Sequence, residues 1–437
     1  MKNPLFGLLL LSLGSATVEA QSFDPILAGQ LQTTIDSIRT ANNLKGISAA
    51  LFYPGMGIWK GVSGISHPGV PIDSDMEFGI ASNTKLFTGV LILKLAENGL
   101  LQLDDSLYEY LPAYTNIDST ITIRQLLNHT SGLADVIHVP GYSDSILNDP
   151  NRIYTAAELI SWADTPSFAP GTSWEYCNTN YLLAGMIAEN VTGQSYGRLL
   201  RDSILTPLQL DSTFLDVYDS ILYATADPWQ NNFNNVNIPR ISLNSAAGAA
   251  GGMYSTSGEM IQWYHALMSG AVLNSASMNE MTTFVGSGSY GIGLSEATVS
   301  GRTVWQHGGA IWGGYNSSMI YDTATGIVVC VLINQFPAQA YQVSIQLLLT
   351  AVNTPTTIGQ IREEENRPIV FPSPINDFLQ VNLPDHSKLR IQLLDLSGHL
   401  VKESFETAFS VAELASGLYF MTITTEKGMY SSKIVKQ

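Results

Sequence analysis

A serine and a lysine stand three residues apart in Ser82-Asn83-Thr84-Lys85, at the head of an apolar stretch that ends at Gly99. A serine hydroxyl is a weak nucleophile until a neighbouring base takes its proton. On a helix, residues i and i+3 lie one turn apart on the same face, so this spacing places the amine beside the hydroxyl. The helix N-terminus adds backbone N–H groups and the positive end of the dipole next to the serine. An apolar surround disfavours the ammonium form and makes Lys85 a better base. This Ser-x-x-Lys occurs once in the chain. The bland alternative, a capping serine followed by a surface lysine, does not account for a lysine inside so apolar a helix.

Two further groups supply what such a nucleophile needs. In Tyr176-Cys177-Asn178, after Pro170-Gly171-Thr172, a tyrosine held near the lysine can act as its phenolate or relay a proton to the leaving group. Asn178 can hydrogen-bond both a lysine and a substrate amide. Tyr114-Thr115-Asn116 has the same spacing but falls in a loop rich in Pro and Asp, and reads as a surface turn. His307-Gly308-Gly309 ends the strand-like Thr303-Val304-Trp305-Gln306. Its glycines, Gly309 included, would let a substrate lie against a strand edge, and the N–H of Ala310 would join that of Ser82 in an oxyanion hole. Gly193-Gln194-Ser195-Tyr196-Gly197 is a competing nucleophile motif. It works only on a tight turn between a strand and a helix; the preceding Leu182 to Val191 reads as a helix, so Ser195 is set aside.

The elements that must position these residues follow from periodicity. Phe23 to Asn42 reads as a helix, Gly46 to Tyr53 and Gly57 to Ser63 as paired strands, and Ser82 to Asn98 as a buried central helix capped by Ser or Asn and closed by Gly99. Thr303 to Gln306, Ser317 to Asp322 and Ile327 to Asn334 alternate like antiparallel strands. Helices bracketed by strands from both ends of the domain predict an α+β fold with one sheet built from its first and last segments. The stretch from Thr354 to Pro368 is rich in Thr and Glu and reads as a linker (354–368). Beyond it, 369–437, the runs Leu379 to Leu383, Leu389 to Leu396 and Leu418 to Thr424 predict a small all-β sandwich. Residues 363–437 carry 10 acidic and 7 basic side chains, the rest of the chain 27 and 13, so most of the acidity belongs to the N-terminal part.

Taken in order, Ser-x-x-Lys, Tyr-x-Asn and His-x-Gly resemble the serine β-lactamase and penicillin-binding-protein superfamily, and more closely its class C-type branch of D-Ala-D-Ala carboxypeptidases, D-aminopeptidases and esterases. Leu126-Leu127-Asn128-His129-Thr130-Ser131-Gly132-Leu133 and the run from Val191-Thr192-Gly193-Gln194-Ser195-Tyr196 to Pro207-Leu208 are similar to that branch too. The likeness covers roughly residues 25–350 and implies a β-lactamase-like domain (21–353) in which Ser82 is the nucleophile, Lys85 and Tyr176 the base and proton relay, Asn178 a substrate-positioning residue and His307 part of a third wall. His129 is expected to be a buried, hydrogen-bonded structural residue. Many relatives carry threonine in the middle of the third motif, where its hydroxyl helps hold a substrate carboxylate. Here that position is Gly308, which points to neutral esters or D-amino-acid amides and peptides rather than β-lactams or D-Ala-D-Ala peptides. Phe371-Pro372-Ser373-Pro374-Ile375-Asn376-Asp377, Leu394-Asp395-Leu396-Ser397-Gly398, Gly417-Leu418-Tyr419 and Lys433-Ile434-Val435-Lys436 resemble the sorting domain of the type IX secretion system, whose machinery is then an expected partner.

Composition narrows the alternatives. The net charge of −17 offers no basic patch for nucleic acid. No His-x-x-x-His or Cys-x-x-Cys pair and no glycine-rich phosphate loop is present, so no metal and no organic cofactor is implied, and the expected ligand is a small molecule or peptide. Lys2, the apolar run Leu5 to Leu13 and Val18-Glu19-Ala20 read as a signal peptide over 1–20, with no later membrane span; the mature chain is expected to be secreted or at the cell surface. Cys177 and Cys330 are expected to be unpaired buried thiols. A catalytically silent peptidoglycan- or β-lactam-binding protein would not need Ser82, Lys85 and Tyr176 together, and an adhesin would need a larger β region.

Overall fold

The alternating segments near the two ends of the first domain come together in one antiparallel sheet. The structure is a computed structural model that describes residues 23–219, 221, 223–355, 369–371, 377–382, 389–395, 399–425 and 428–436. Its sheet runs, from edge to edge, through Val70–Pro71, Gly57–His67, Gly46–Tyr53, Val328–Ile333, Tyr315–Asp322, Arg302–Ile311 and Ser295–Val299. Gly46–Tyr53 pairs with Gly57–His67 on one side and with Val328–Ile333 on the other, in register from Ile47 opposite Ile333 to Phe52 opposite Val328. Val328–Ile333 is buried at every position, as a central strand of β-branched and aliphatic residues covered on both faces should be. Pro25–Ala41 and Ala340–Asn353 pack on each other and on the sheet, and Ser257–Met268 packs on Gly46–Tyr53 and Val328–Ile333. The α+β expectation holds.

The helical part is built around Thr84–Glu97, which contacts both Asn178–Thr192 and Arg240–Gly251. Eleven of its fourteen residues are buried, which is why no amphipathic stripe is legible in its sequence. Its start differs from expectation. Ala81–Asn83 forms one 3-10 turn, the α-helix begins at Thr84, and neither Ser82 nor Asn83 makes a side-chain cap. The Ser82 hydroxyl is therefore not tied to a backbone donor. Gly99 ends the helix at φ +70°, a conformation with little cost for glycine.

The chain divides into two compact units, 1–354 and 355–437. In the second, the strands Ile369–Phe371, Phe378–Asn382 and Ala408–Ser410 form one sheet, and Leu400–Ser404, Arg390–Leu394, Gly417–Thr425 and Gly428–Lys436 form another. Leu379, Val381 and Phe409 of the first share a core with Ile391, Leu393, Met421 and Ile423 of the second, the arrangement of a β-sandwich. The expected signal peptide, nearly all of the linker and parts of the sorting motifs (372–376 and 396–398) lie outside the described residues. Among the described residues, no helix is long and apolar enough to cross a membrane.

Candidate active site

Ser82 sits on a turn that two neighbours hold in place. Ile80 donates its N–H to Met253 O at 3.0 Å, and Ala81 takes a left-handed φ of +49°, a strained value for a residue with a Cβ. Asn83 Nδ2 donates to Ser317 Oγ at 2.8 Å, and that hydroxyl donates to Ile80 O at 2.7 Å. Ser317 lies directly across the sheet from Gly309. A Cβ on Gly309 would stand 2.3 Å from Ile80 O and 2.9 Å from Ala81 Cβ, whereas one on Gly308 would meet nothing nearer than Ser317 O at 3.7 Å. Gly309 thus lets the strand touch the nucleophile turn, a tighter constraint than the substrate access expected from the sequence.

Lys85 is fully buried. Its Nζ lies 3.1 Å from Ser82 Oγ, 2.7 Å from Asn178 Oδ1 and 2.7 Å from Ala250 O. Asn178 Oδ1 and Ala250 O can only accept. A neutral amine gives its two N–H groups to those oxygens and is left with one lone pair directed at the Ser82 hydroxyl, the arrangement of a general base. Desolvation lowers the Lys85 pKa to about 7, against smaller opposing effects of Asp135 and Cys177. The Ala250 carbonyl comes from Arg240–Gly251, which is broken at Gly248 (φ 42°, ψ −127°). Asn178 opens its own helix, and Asp135 Oδ2 accepts from both its N–H (2.9 Å) and its Nδ2 (2.8 Å). That pair of bonds turns Oδ1 toward Lys85.

The Tyr176 ring lies 4.8 Å from Lys85 Nζ. Desolvation holds its phenol well above the ordinary pKa; Ser82 is close enough to act in the opposite direction, yet the buried oxygen completes no hydrogen bond of normal geometry among the described residues. Tyr176 packs on His129, with ring centroids 4.4 Å apart. His129 Nδ1 accepts from Cys177 N and Asn180 Nδ2 at 3.2 and 3.0 Å, so the ring proton is on Nε2. Burial holds this imidazole well below its ordinary pKa.

His307 is not at a strand end: Arg302–Ile311 continues past it. Ser295–Val299 pairs with this strand only as far as Gln306, which leaves the edge from His307 to Ala310 without a strand partner on that side among the described residues. His307 Nδ1 bonds to Gly308 O at 2.6 Å and Nε2 to Tyr290 Oη at 2.8 Å. The carbonyl can only accept, so Nδ1 carries the proton and Tyr290 donates to Nε2. Burial, helped by Lys85, lowers the His307 pKa to about 3, so the imidazole brings no positive charge to the site.

Ser82, Tyr176, Asn178, His307, Gly308, Gly309 and Ala310 all line one cavity of about 950 Å³, with Lys85 beneath its floor. Tyr114 and Ser195 are not among its lining residues; Ser195 is exposed and precedes the helix Tyr196–Leu200. Cys177 and Cys330 are free and buried. Asp135 and Tyr290 went unread in the sequence. Each acts on a residue far along the chain, and the Asp-Val pair after the Leu126–Leu133 segment carries no spacing that announces it.

Residues 31–352 match the Beta-lactamase family. The chain belongs to the beta-lactamase family. Within this family of serine hydrolases it is similar to the D-stereospecific amidohydrolase from Streptomyces sp. (31% identity, 73% of this chain and 97% of that one, TM-score 0.65). It is also similar to the D-amino acid amidase from Ochrobactrum anthropi SV3 (26% identity, 75% and 99%, TM-score 0.67). Penicillin-binding protein 4 of Amycolatopsis lactamdurans is 35% identical over 186 residues, 41% of this chain. The chain spans about half of that protein (47%) and 28% of Protein flp of Staphylococcus aureus, to which it is 42% identical over 141 residues. Residues 369–437 match the Secretion system C-terminal sorting domain, which points to export to the cell surface or beyond.

Proposed function

We propose that the protein is an exported serine hydrolase that acylates Ser82 and hydrolyses neutral esters or D-amino-acid amides and peptides. The observation that carries the reading is the Lys85 amine, with both of its neutral-form N–H groups committed to Asn178 Oδ1 and Ala250 O and its lone pair toward Ser82 Oγ. In this reading Lys85 takes the Ser82 proton as Oγ attacks the carbonyl carbon, and the N–H groups of Ser82 and Ala310 receive the developing oxyanion. Tyr176, whose raised pKa favours the phenol over the phenolate, passes its proton to the leaving nitrogen or oxygen and takes back the one held by Lys85, which returns to the free amine. Water then releases the acyl group from Ser82.

The substrate reading rests on charge. Gly308 offers no hydroxyl, His307 is neutral, and neither arginine nor lysine is among the described residues lining the cavity. A charge-assisted hydrogen bond contributes about 1.5–3 kcal/mol, roughly ten- to a hundredfold in affinity, so substrates ending in a free carboxylate lose that much here. The D-amino acid amidase likeness agrees with uncharged amides. Export through the type IX machinery is proposed from the C-terminal domain, with residues 1–20 as the removable leader.

The test is covalent labelling of the mature protein with a fluorophosphonate, read by intact mass, together with kcat/KM for matched substrates ending in a carboxylate or its amide. Ser82→Ala should lose the adduct, Ser195→Ala should keep it, and the amide should be preferred. An adduct on Ser82→Ala would refute the nucleophile; a preference for the carboxylate would restore a D-Ala-D-Ala carboxypeptidase or β-lactamase.

A further inference from the structure

Two consecutive carbonyls at the broken end of Arg240–Gly251 each accept a hydrogen bond from a side chain of the nucleophile helix. Ala250 O accepts from Lys85 Nζ at 2.7 Å, and Ala249 O from Thr88 Oγ1 at 2.6 Å. Lys85 and Thr88 are three residues apart and share one face of Thr84–Glu97. Thr84 Oγ1 adds a third bond, accepting from Met253 N at 3.2 Å. The segment held in this way is Gly248-Ala249-Ala250-Gly251-Gly252. Gly248 departs from helical geometry (φ 42°, ψ −127°), and three glycines in five residues leave the backbone little preference of its own. The direction of the Ala250 carbonyl is therefore set by these side chains rather than by a regular helix.

Thr88 is buried and is not among the residues lining the cavity. A threonine inside a helix commonly gives its proton to the carbonyl four residues back. Here that carbonyl, Thr84 O, stands at 3.3 Å and Ala249 O at 2.6 Å. The hydroxyl has one proton, and the shorter bond takes it. Tyr196 Oη, 2.6 Å from the same Oγ1, is then the donor to it. Burial keeps that phenol well above its ordinary pKa, with Thr88 acting the other way, so its proton is retained. Tyr196 belongs to Gly193-Gln194-Ser195-Tyr196-Gly197, the run whose serine lies away from the cavity.

We infer that Thr88 and Tyr196 are positioning residues for Lys85: the chain from Tyr196 Oη through Thr88 Oγ1 to Ala249 O holds the neighbouring Ala250 carbonyl on the amine and keeps the Lys85 lone pair turned to Ser82. The inference rests on the reading of Lys85 as the base that activates Ser82. Without the Thr88 hydroxyl, Ala249 O loses that donor and the glycine-flanked peptide can turn. Lys85 is then free to aim an N–H, instead of its lone pair, at Ser82 Oγ. Neither side chain lines the cavity, so their loss should slow proton transfer and leave ligand binding alone.

The experiment is single-turnover acylation by p-nitrophenyl acetate, resolved into a limiting rate and a half-saturating ester concentration. Thr88→Val keeps the shape and removes the hydroxyl; it should lower the limiting rate by about ten- to a hundredfold and leave half-saturation in place. Thr88→Ser should recover most of that loss, and Tyr196→Phe should lower the limiting rate by about three- to tenfold. A Thr88→Val rate equal to that of the unmodified protein, equal losses in Thr88→Val and Thr88→Ser, or a loss confined to half-saturation overturns the inference. Should Thr88→Val fail to fold by circular dichroism, Tyr196→Phe decides: an unchanged limiting rate overturns the inference and a lowered one supports it. The fluorophosphonate adduct is a separate readout. An unmodified protein that takes no adduct on Ser82 would refute the nucleophile and the inference with it, whereas an adduct on Ser82 with normal acylation of Thr88→Val would count against the positioning pair alone.

Discussion

Asp135→Asn should shift the acid limb of Ser82 acylation to lower pH. Lys85 reacts as the free amine, so the acylation rate falls tenfold per pH unit below its pKa, which stands at about 7. Asp135 favours the ammonium form and so raises that value; removing its charge lowers it. One side chain, Asn178, bridges the two groups, and at an effective dielectric of ~20 a unit charge at that remove contributes on the order of 2 kcal/mol, or roughly one to two pH units. Solvent reaching the half-buried carboxylate reduces this to about one unit. Several groups in the site cannot mimic the limb: His307 titrates at about 3, His129 well below its ordinary value, Cys177 at about 12 and Tyr176 well above its ordinary value; His138 also lines the cavity, and His138→Gln, expected to leave the limb in place, is the control. Glu77 also reaches about 7, through desolvation, but is not among the residues lining the cavity. The assay is single-turnover acylation by a p-nitrophenyl ester from pH 5 to 9. A limb that stays in place or moves upward on Asp135→Asn would refute the assignment of Lys85 as the titrating base under the field of Asp135.

Two further outcomes follow from the same geometry and from the tail. Gly309→Ala should lower Tm, with an overpacking cost of about 1–3 kcal/mol, and suppress acylation, because its methyl meets Ile80 O at 2.3 Å, while Gly308→Ala, with nothing nearer than 3.7 Å, should change Tm little; equal effects on thermal melting and labelling would contradict the close approach. Truncation after Thr354, at the boundary between the two compact units, should leave a folded hydrolase that labels normally but does not reach the cell surface, and normal surface display on cell fractionation would contradict the sorting role.

The nucleophile helix, the paired end strands and the cavity residues could be read from sequence because each depends on local spacing: Ser82 and Lys85 are one helical turn apart, and the strands alternate with period two. What escaped reading depends on residues far apart in the chain. The carboxylate that receives the Asn178 N–H belongs to Asp135, 43 positions earlier. The helix was extended back to Leu182 only, although it begins at Asn178. The sequence places His307 in a wall of the site, but that Tyr290 and the Gly308 carbonyl occupy both of its ring nitrogens is a fact of the fold. Gly309 could be recognised as special, but that it faces Ile80 rather than open substrate space is a fact of packing.

The pairing of Gly46–Tyr53 with Val328–Ile333 also governs how the domain is made. During synthesis the first hairpin, Gly46–Tyr53 with Gly57–His67, emerges with an unpaired edge, and its partner strand follows more than 250 residues later. Loop-closure entropy opposes that distant contact until the intervening helices have gathered, so closure of the central sheet depends on the whole of the chain between its two halves. A chain interrupted before Ile333 would expose an open strand edge prone to pairing with other chains, and a chain delivered unfolded to a new compartment would need Val328–Ile333 present before the seven-stranded sheet could close.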